Sequence, residues 1–290
     1  MTEASPFGAE DLAEAFKHCA ALARSRVRDA WLGALYAPDA SRNGLLALAA
    51  FDYEVRQARL RARDPRLAAI RLAWWREAAL GVRDAEAAGS PVAMAMRATV
   101  KAFALPSALV EAMLGALLTE IAPGDDFTLA AFERYAADGE GARLRLASHI
   151  AAGGPDLDRA EAHAPAGAAL ALTRLLQNLA APERADWKLF PADVALKSGA
   201  ALADIAARRA TPAVVAALAE LRALARERLA EAERRLRGSD PGIRPAFVPL
   251  AALRLDLDRL ERRAAKPFDP PPEVSALSRQ WAIWRWARRS

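Results

Sequence analysis

The sequence predicts an all-α protein, a single domain of packed helices. Nearly every segment repeats its apolar residues at steps of three and four. No Asn-Gly hairpin and no sustained alternation of Val, Ile and Thr interrupts that pattern. The connections are short, which suits helices that pack on their neighbours. With 290 residues, 53% of them hydrophobic, the chain can bury one large core.

The elements follow in order. A first helix covers about residues 10–35 and ends before Pro38. A second runs over 39–63 and ends before Pro65, because the residue preceding a proline is pushed out of helical geometry. A third holds "AAIRLAWWREAALG" and stops at Gly81. Adjacent helical residues point in different directions, so at most one of Trp74 and Trp75 faces the core, and Arg76 pairs with a carboxylate. Two helices follow near 92–104 and 106–121. Asp126 or Thr128 caps the next, which contains "FERYAADGEGARLRLASHIAAGG". Gly139 and Gly141 inside it each cost about 1 kcal/mol against alanine, so they mark a local break or a close approach. "AGAALALTRLLQNL" is then stopped by Pro182.

The clearest helix starts at Thr211 as N-cap, with Pro212 in the first helical position. It steps along Val214, Leu218, Leu221, Ala225, Leu229, Ala232 and Leu236. Gly238 is expected as its left-handed C-cap, and Arg222, Arg226, Glu227, Glu231 and Arg234 as its solvated face. "VPLAALRLDLDRLERRA" adds one more helix. The domain is expected over 1–265. The proline-rich "KPFDPPPEV" and a short helix, "SALSRQWAIWRWARRS", fill 266–290.

Composition narrows the function classes. The net charge of +5 is mildly basic and suits a surface that meets anions, without choosing among them. The single cysteine, Cys19, excludes a disulfide within the chain. His18, His149 and His163 do not cluster with it at metal-ligand spacing. The N-terminal "MTEASPFGAEDLAEAF" is acidic and lacks the apolar stretch of a signal peptide. No uninterrupted apolar run reaches the length of a membrane span. A cytoplasmic protein is expected, at most peripheral to the inner membrane. Basic residues interleave with acidic ones and no binding module is present, so nucleic acid is not an expected partner.

One stretch stands out. "FDYEVRQARLRARDP" follows the apolar "LLALAA" and carries Arg56, Arg59, Arg61 and Arg63. Arg56, Arg59 and Arg63 share a helical stripe and could bind a phosphate directly. Alternatively Asp52 pairs with Arg56 four residues on and the rest is solvated surface, the reading favoured by the residues alone. In the last helix Trp281, Trp284, Arg285 and Arg288 mix tryptophan with arginine, as at membrane interfaces. Equally, that helix could fold back and pack its tryptophans on the bundle.

Four segments in order resemble the squalene/phytoene synthase family: "RDAWLGALYAPDASRNGLLALAAFDYEVRQAR", "IRLAWWREAALG", "FERYAADGEGA" and "AGAALALTRLLQNLAAPERADWKLFPAD". They span about residues 28–193. The resemblance implies the isoprenoid-synthase helical fold. In active members, two DxxxD motifs on facing helices hold magnesium and the substrate diphosphates. Residues four apart share a helix face, and carboxylate oxygens suit magnesium. Here the first motif falls on Arg56, Gln57 and Leu60, and the second on Asn178 and Pro182. None supplies a carboxylate. A divalent cation about 5 Å from a guanidinium is repelled by roughly 7 kcal/mol at an effective dielectric near 20, and arginine does not deprotonate to relieve it.

The resemblance is therefore to a divergent branch that lacks both motifs and acts in assembly of respiratory complex I. It implies a non-catalytic scaffold with a respiratory-complex subunit as partner, or a cavity holding a prenyl or lipid phosphate. In the family's geometry Arg184 and Lys188 would add charge to the same mouth. No cofactor is expected. The alternative, an active prenyltransferase condensing isoprenyl diphosphates head to head, would require magnesium.

Overall fold

The computed structural model describes residues 7–62, 64–124, 127–154, 161–180, 186–270 and 274–288. All regular structure among the described residues is helical. In chain order the helices are α1 (Ala9–Arg26), α2 (Arg28–Ala34), α3 (Asp39–Arg61), α4 (Pro65–Leu80), the single turn α5 (Asp84–Ala87), α6 (Pro91–Ala102), α7 (Ser107–Ile121), α8 (Leu129–Ala136) and α9 (Ala142–Ala151). The second half holds α10 (His163–Asn178), the short α11 (Ala192–Lys197) and α12 (Leu202–Ala206), α13 (Pro212–Leu236), α14 (Arg244–Phe247), α15 (Leu250–Arg262) and α16 (Ala276–Arg288).

Two helices are central. Along α3, every residue from Leu45 to Phe51 is buried, and α1, α2, α4, α6, α7 and α9 pack around it. A helix that is apolar all round must be covered on every side. In α10 most residues from His163 to Leu176 are buried, with α8, α9, α13 and α15 around it. The facing ends of α3 and α10 bound a cavity.

Local signals explain most boundaries. Asp64 and Ser90 cap α4 and α6, each followed by proline at the first helical position. Gly81 ends α4 in the left-handed region at φ 84°. Thr128 caps α8, accepting from the Ala131 amide at 3.2 Å; Asp126 lies outside the described residues. All seven apolar positions expected along α13 are buried.

Some expectations fail. The first helix is two, broken at Val27 with φ −132° and ψ 55°. Val27 is β-branched, which lowers its helix propensity, and the break lets α2 pack against α3, α14 and α16. Gly238 is not left-handed. Instead the amides of Gly238 and Ser239 donate to the Arg235 and Leu236 carbonyls, and this three-residue tightening ends α13 unaided. Arg222 is not on a solvated face: it is 4% exposed and its Nε donates to Glu261 of α15 at 3.1 Å. Trp74 and Trp75 both pack partly on the core. They meet edge to face at 5.0 Å, Trp75 lies against Phe51 and the Trp74 indole donates to Glu86. Arg76 pairs with Glu77.

Candidate functional site

The cavity between α3 and α10 measures about 260 Å³. Helical spacing selects its lining. Asp52, Arg56, Arg59 and Leu60 come from one stripe of α3, and Ala171, Arg174, Leu175 and Asn178 from one stripe of α10. Glu120 of α7 and Tyr135 of α8 add polar groups to the lining, and Val27, Phe132 and Leu189 add apolar ones, with Phe132 and Tyr135 in edge contact at 5.6 Å.

The polar part of the lining is a buried ion network. Arg56, its side chain 19% exposed, donates from Nε to Asp52 at 2.9 Å and from Nη2 to Glu140 at 2.7 Å. Its Nη1 stands 3.6 Å from Glu120. Arg59 donates from Nε to Glu120 at 2.8 Å, and the Tyr135 hydroxyl donates to the other Glu120 oxygen at 2.6 Å. Glu140 also accepts from Arg143 Nε at 2.8 Å and pairs with Arg174.

The backbone explains how Glu140 arrives there. Residues Ala137–Gly141 form a π turn between α8 and α9. The wider turn shifts the side-chain phase at a point where regular helix would aim the residue elsewhere. The turn packs closely on α10: a Cβ on Gly167 would lie 2.6 Å from the Gly141 amide nitrogen. Gly139 and Gly141 thus mark a break together with a close approach, and Gly167 makes the approach sterically possible.

Burial alone would raise the Glu140 carboxyl. The charges of Arg174, Arg143 and Arg56 outweigh it and hold Glu140 well below the usual carboxylate range. Glu120 is likewise lowered, with Arg56 and Arg59 overcoming its desolvation. For Tyr135, burial first and the Glu120 charge second raise the phenol well above its ordinary value, so it remains a donor. Arg56 is pushed further up because its three carboxylate neighbours overcome the burial that opposes them.

The residues at the expected motif positions divide cleanly. Arg56, Gln57, Arg59, Leu60 and Asn178 all line the cavity. Lys188 is exposed on the short helical turn Asp186–Leu189. Arg63, Pro182 and Arg184 lie outside the described residues. Asp52 does pair with Arg56, but in a buried network and not on a wet surface. Sequence reasoning missed Glu120, Tyr135, Glu140, Arg143 and Arg174. For Glu140 a signal existed: an acid flanked by two glycines inside a helical pattern. The others carry no local mark.

Residues 8–281 match the squalene/phytoene synthase family model. The chain belongs to this family. No curated protein sequence matches it. Among solved structures it is similar to a dehydrosqualene synthase crystallised with a ligand, with 17% identity, TM-score 0.78 and 98% of each chain covered. It is also similar to the squalene synthase HpnC of Alicyclobacillus acidocaldarius, with 23% identity, TM-score 0.71, and 91% of this chain and 98% of that chain covered. A third is YisP of Bacillus subtilis subsp. subtilis strain 168, with 15% identity, TM-score 0.69, and 98% of this chain and 100% of that chain covered. At these identities the likeness establishes the fold.

Outside the cavity, α16 docks by one face and exposes the other. Ile283 is buried with Leu32, Val248 and Ala251. Arg279 pairs with Asp29 of α2 and donates to Asp256 of α15 at 2.6 Å. Trp281 and Trp284 stack at 4.7 Å, Trp281 is 58% exposed, and the Arg288 guanidinium lies over Trp284 at 4.4 Å. Arg285 is exposed beside them. Among the described residues no helix is long and apolar enough to cross a membrane. The histidines are accounted for by packing: His149 and His163 are buried, with His163 bonded to Ser148 at 2.9 Å, and His18 is exposed. Burial pushes the Cys19 thiol up to about 12, which leaves it unreactive.

Proposed function

We propose that this chain is a non-catalytic squalene/phytoene synthase-like protein. Its role is that of an assembly or scaffold factor of the respiratory complex I type, with a cavity retained for a prenyl or lipid phosphate. The observation that carries the reading is Arg56. It stands at the first motif position with its guanidinium spent on Asp52 and Glu140. The cavity carboxylates do not fit a magnesium ion, because Arg56 is bonded to Asp52 and Arg59 to Glu120, and these guanidiniums would repel a divalent cation. The complex I assignment rests on the resemblance to the branch that lacks both acidic motifs.

The alternative, head-to-head condensation of isoprenyl diphosphates, draws support from the shared fold and from the Asp52 and Glu120 carboxylates on the cavity wall. A direct assay separates the two. The purified chain, incubated with farnesyl or geranylgeranyl diphosphate and magnesium, should give no product above a no-enzyme control by mass spectrometry. Product formation would overturn the non-catalytic reading. Deleting the gene in its own host should lower the amount of assembled complex I on native gels, and an unchanged amount would contradict the assembly role.

The same reading includes peripheral contact with anionic membranes through the exposed Trp281, Trp284, Arg285 and Arg288 face. Tryptophan suits the interface and arginine the lipid charge.

A further inference from the structure

The charges around the cavity do not cancel. Among the described residues, the guanidiniums of Arg56, Arg59 and Arg174 share the lining with only two carboxylates, Asp52 and Glu120. Behind them Glu140 and Arg143 offset each other. One positive charge is left over. Its location can be read from the bonds. Arg56 and Arg59 are each spent on carboxylates. Among the described residues Arg174 has Glu140 as its one ion-pair partner, which Arg56 and Arg143 already share. The Arg174 side chain is 31% exposed and lines the same cavity as Leu175, Phe132 and Leu189. A surplus guanidinium in a partly apolar lining is half of an amphiphile's complement.

We infer that the cavity takes an amphiphile with a low-charge anionic head group, a carboxylate or a phosphate monoester, bound without metal, with Arg174 pairing the head group and the Phe132, Leu175 and Leu189 side chains holding the tail. This rests on the non-catalytic reading and narrows its ligand. A carboxylate carries one charge and a phosphate monoester between about 1.5 and 2 at neutral pH. A diphosphate carries more, and one surplus arginine leaves the excess uncompensated in a buried site. The volume, near the lower end of small-molecule sites at roughly 300 Å³, favours a short tail.

The test is calorimetric titration of the full chain in EDTA with geranic acid, geranyl monophosphate, geranyl diphosphate and geraniol. The two low-charge anions should bind about tenfold or more tightly than the alcohol, the worth of one charge-assisted hydrogen bond, and also more tightly than the diphosphate. The acid and the monophosphate distinguish the two head-group sources. Arg174→Gln should erase the preference for acid over alcohol. Arg174→Lys, which keeps the charge, should retain part of it. Arg61→Gln, on the exposed end of α3, should change nothing. Alcohol binding equal to acid, diphosphate binding tightest without metal, or a preference that survives Arg174→Gln would each overturn the inference. Absence of binding by every probe would also overturn it, while leaving a scaffold role intact. Turnover of diphosphates with magnesium would instead remove the reading beneath it.

Discussion

Two arginine–carboxylate clusters in this molecule use the same chemistry to opposite effect. At the cavity, Glu140 sits among Arg56, Arg143 and Arg174, and its carboxyl is driven down. Under α16, Asp29 has Arg279 as its bonded partner and Asp256 as a nearby like charge. There burial wins, and the Asp29 carboxyl is raised. The difference lies in the count of neighbours. Three cations bonded to one acid repay its desolvation; at Asp29 the bonded Arg279 and the weaker pull of Arg28 do not, because Asp256 opposes them. The first cluster locks the helices around the cavity and leaves a surplus charge facing into it. The second staples the C-terminal helix.

The largest expected effect tests the first half of that comparison. Glu140→Gln removes the buried carboxylate that Arg56, Arg143 and Arg174 share and should destabilise the fold by about 3–5 kcal/mol, read by urea unfolding. A loss below about 1 kcal/mol, the level of surface pairs, would mean the network is solvated.

Acid should separate the clusters by sign. Glu140 and Glu120 are depressed in the fold, so their stabilisation is complete above the ordinary glutamate value of 4.5 and is lost as pH falls toward their lowered folded values. Asp29 is raised, so its ionised form weakens the fold above its folded value, and that penalty is fully relieved below the ordinary aspartate value of 3.8. Wild-type stability should therefore fall progressively as the pH drops below 4.5, and Glu140→Gln should flatten the slope while Asp29→Asn does not. Equal slopes in wild type and Glu140→Gln would break the assignment.

Next in size is the staple. Arg279→Gln removes charged hydrogen bonds worth about 1.5–3 kcal/mol and leaves Asp29 facing Asp256. Hydrogen exchange over 276–288 should rise while α3 and α10 stay protected. Unchanged exchange would mean Ile283 and Trp286 hold α16 alone. The smallest effect on stability, within about 0.5 kcal/mol, is expected from Trp281→Ala, because the side chain is exposed. It should nevertheless lower co-sedimentation with anionic liposomes, as should high salt. Undiminished binding would remove this face from the membrane reading.

These clusters also mark where sequence reading ran out. The all-α class, the caps at Thr128 and Thr211 and the buried stripe of α13 follow from period and local chemistry, and the structure has them. Arg56 was visible as an anomaly, since a helix leaving an apolar run seldom carries so much charge. Its partners were not, because Glu120 and Glu140 lie 64 and 84 residues further along the chain, and nothing local says which acid a long-range fold will bring. The expectation of a wet Asp52–Arg56 pair failed for the same reason. Arg222 was misplaced because a helical-face pattern assigns charge to solvent, whereas the α13–α15 interface supplies Glu261. The break at Val27 has no glycine or proline to announce it; the packing of α2 imposes it.

The central claim is that the cavity carboxylates hold arginines and not a metal. The most direct measurement is titration of the full chain with manganese, a magnesium surrogate, followed by electron paramagnetic resonance with and without farnesyl diphosphate. The account predicts that the free manganese signal stays undiminished without ligand, and that any loss with diphosphate equals that of diphosphate alone. A protein-dependent loss of signal that Asp52→Asn or Glu120→Gln abolishes would place a metal on those carboxylates and contradict the account.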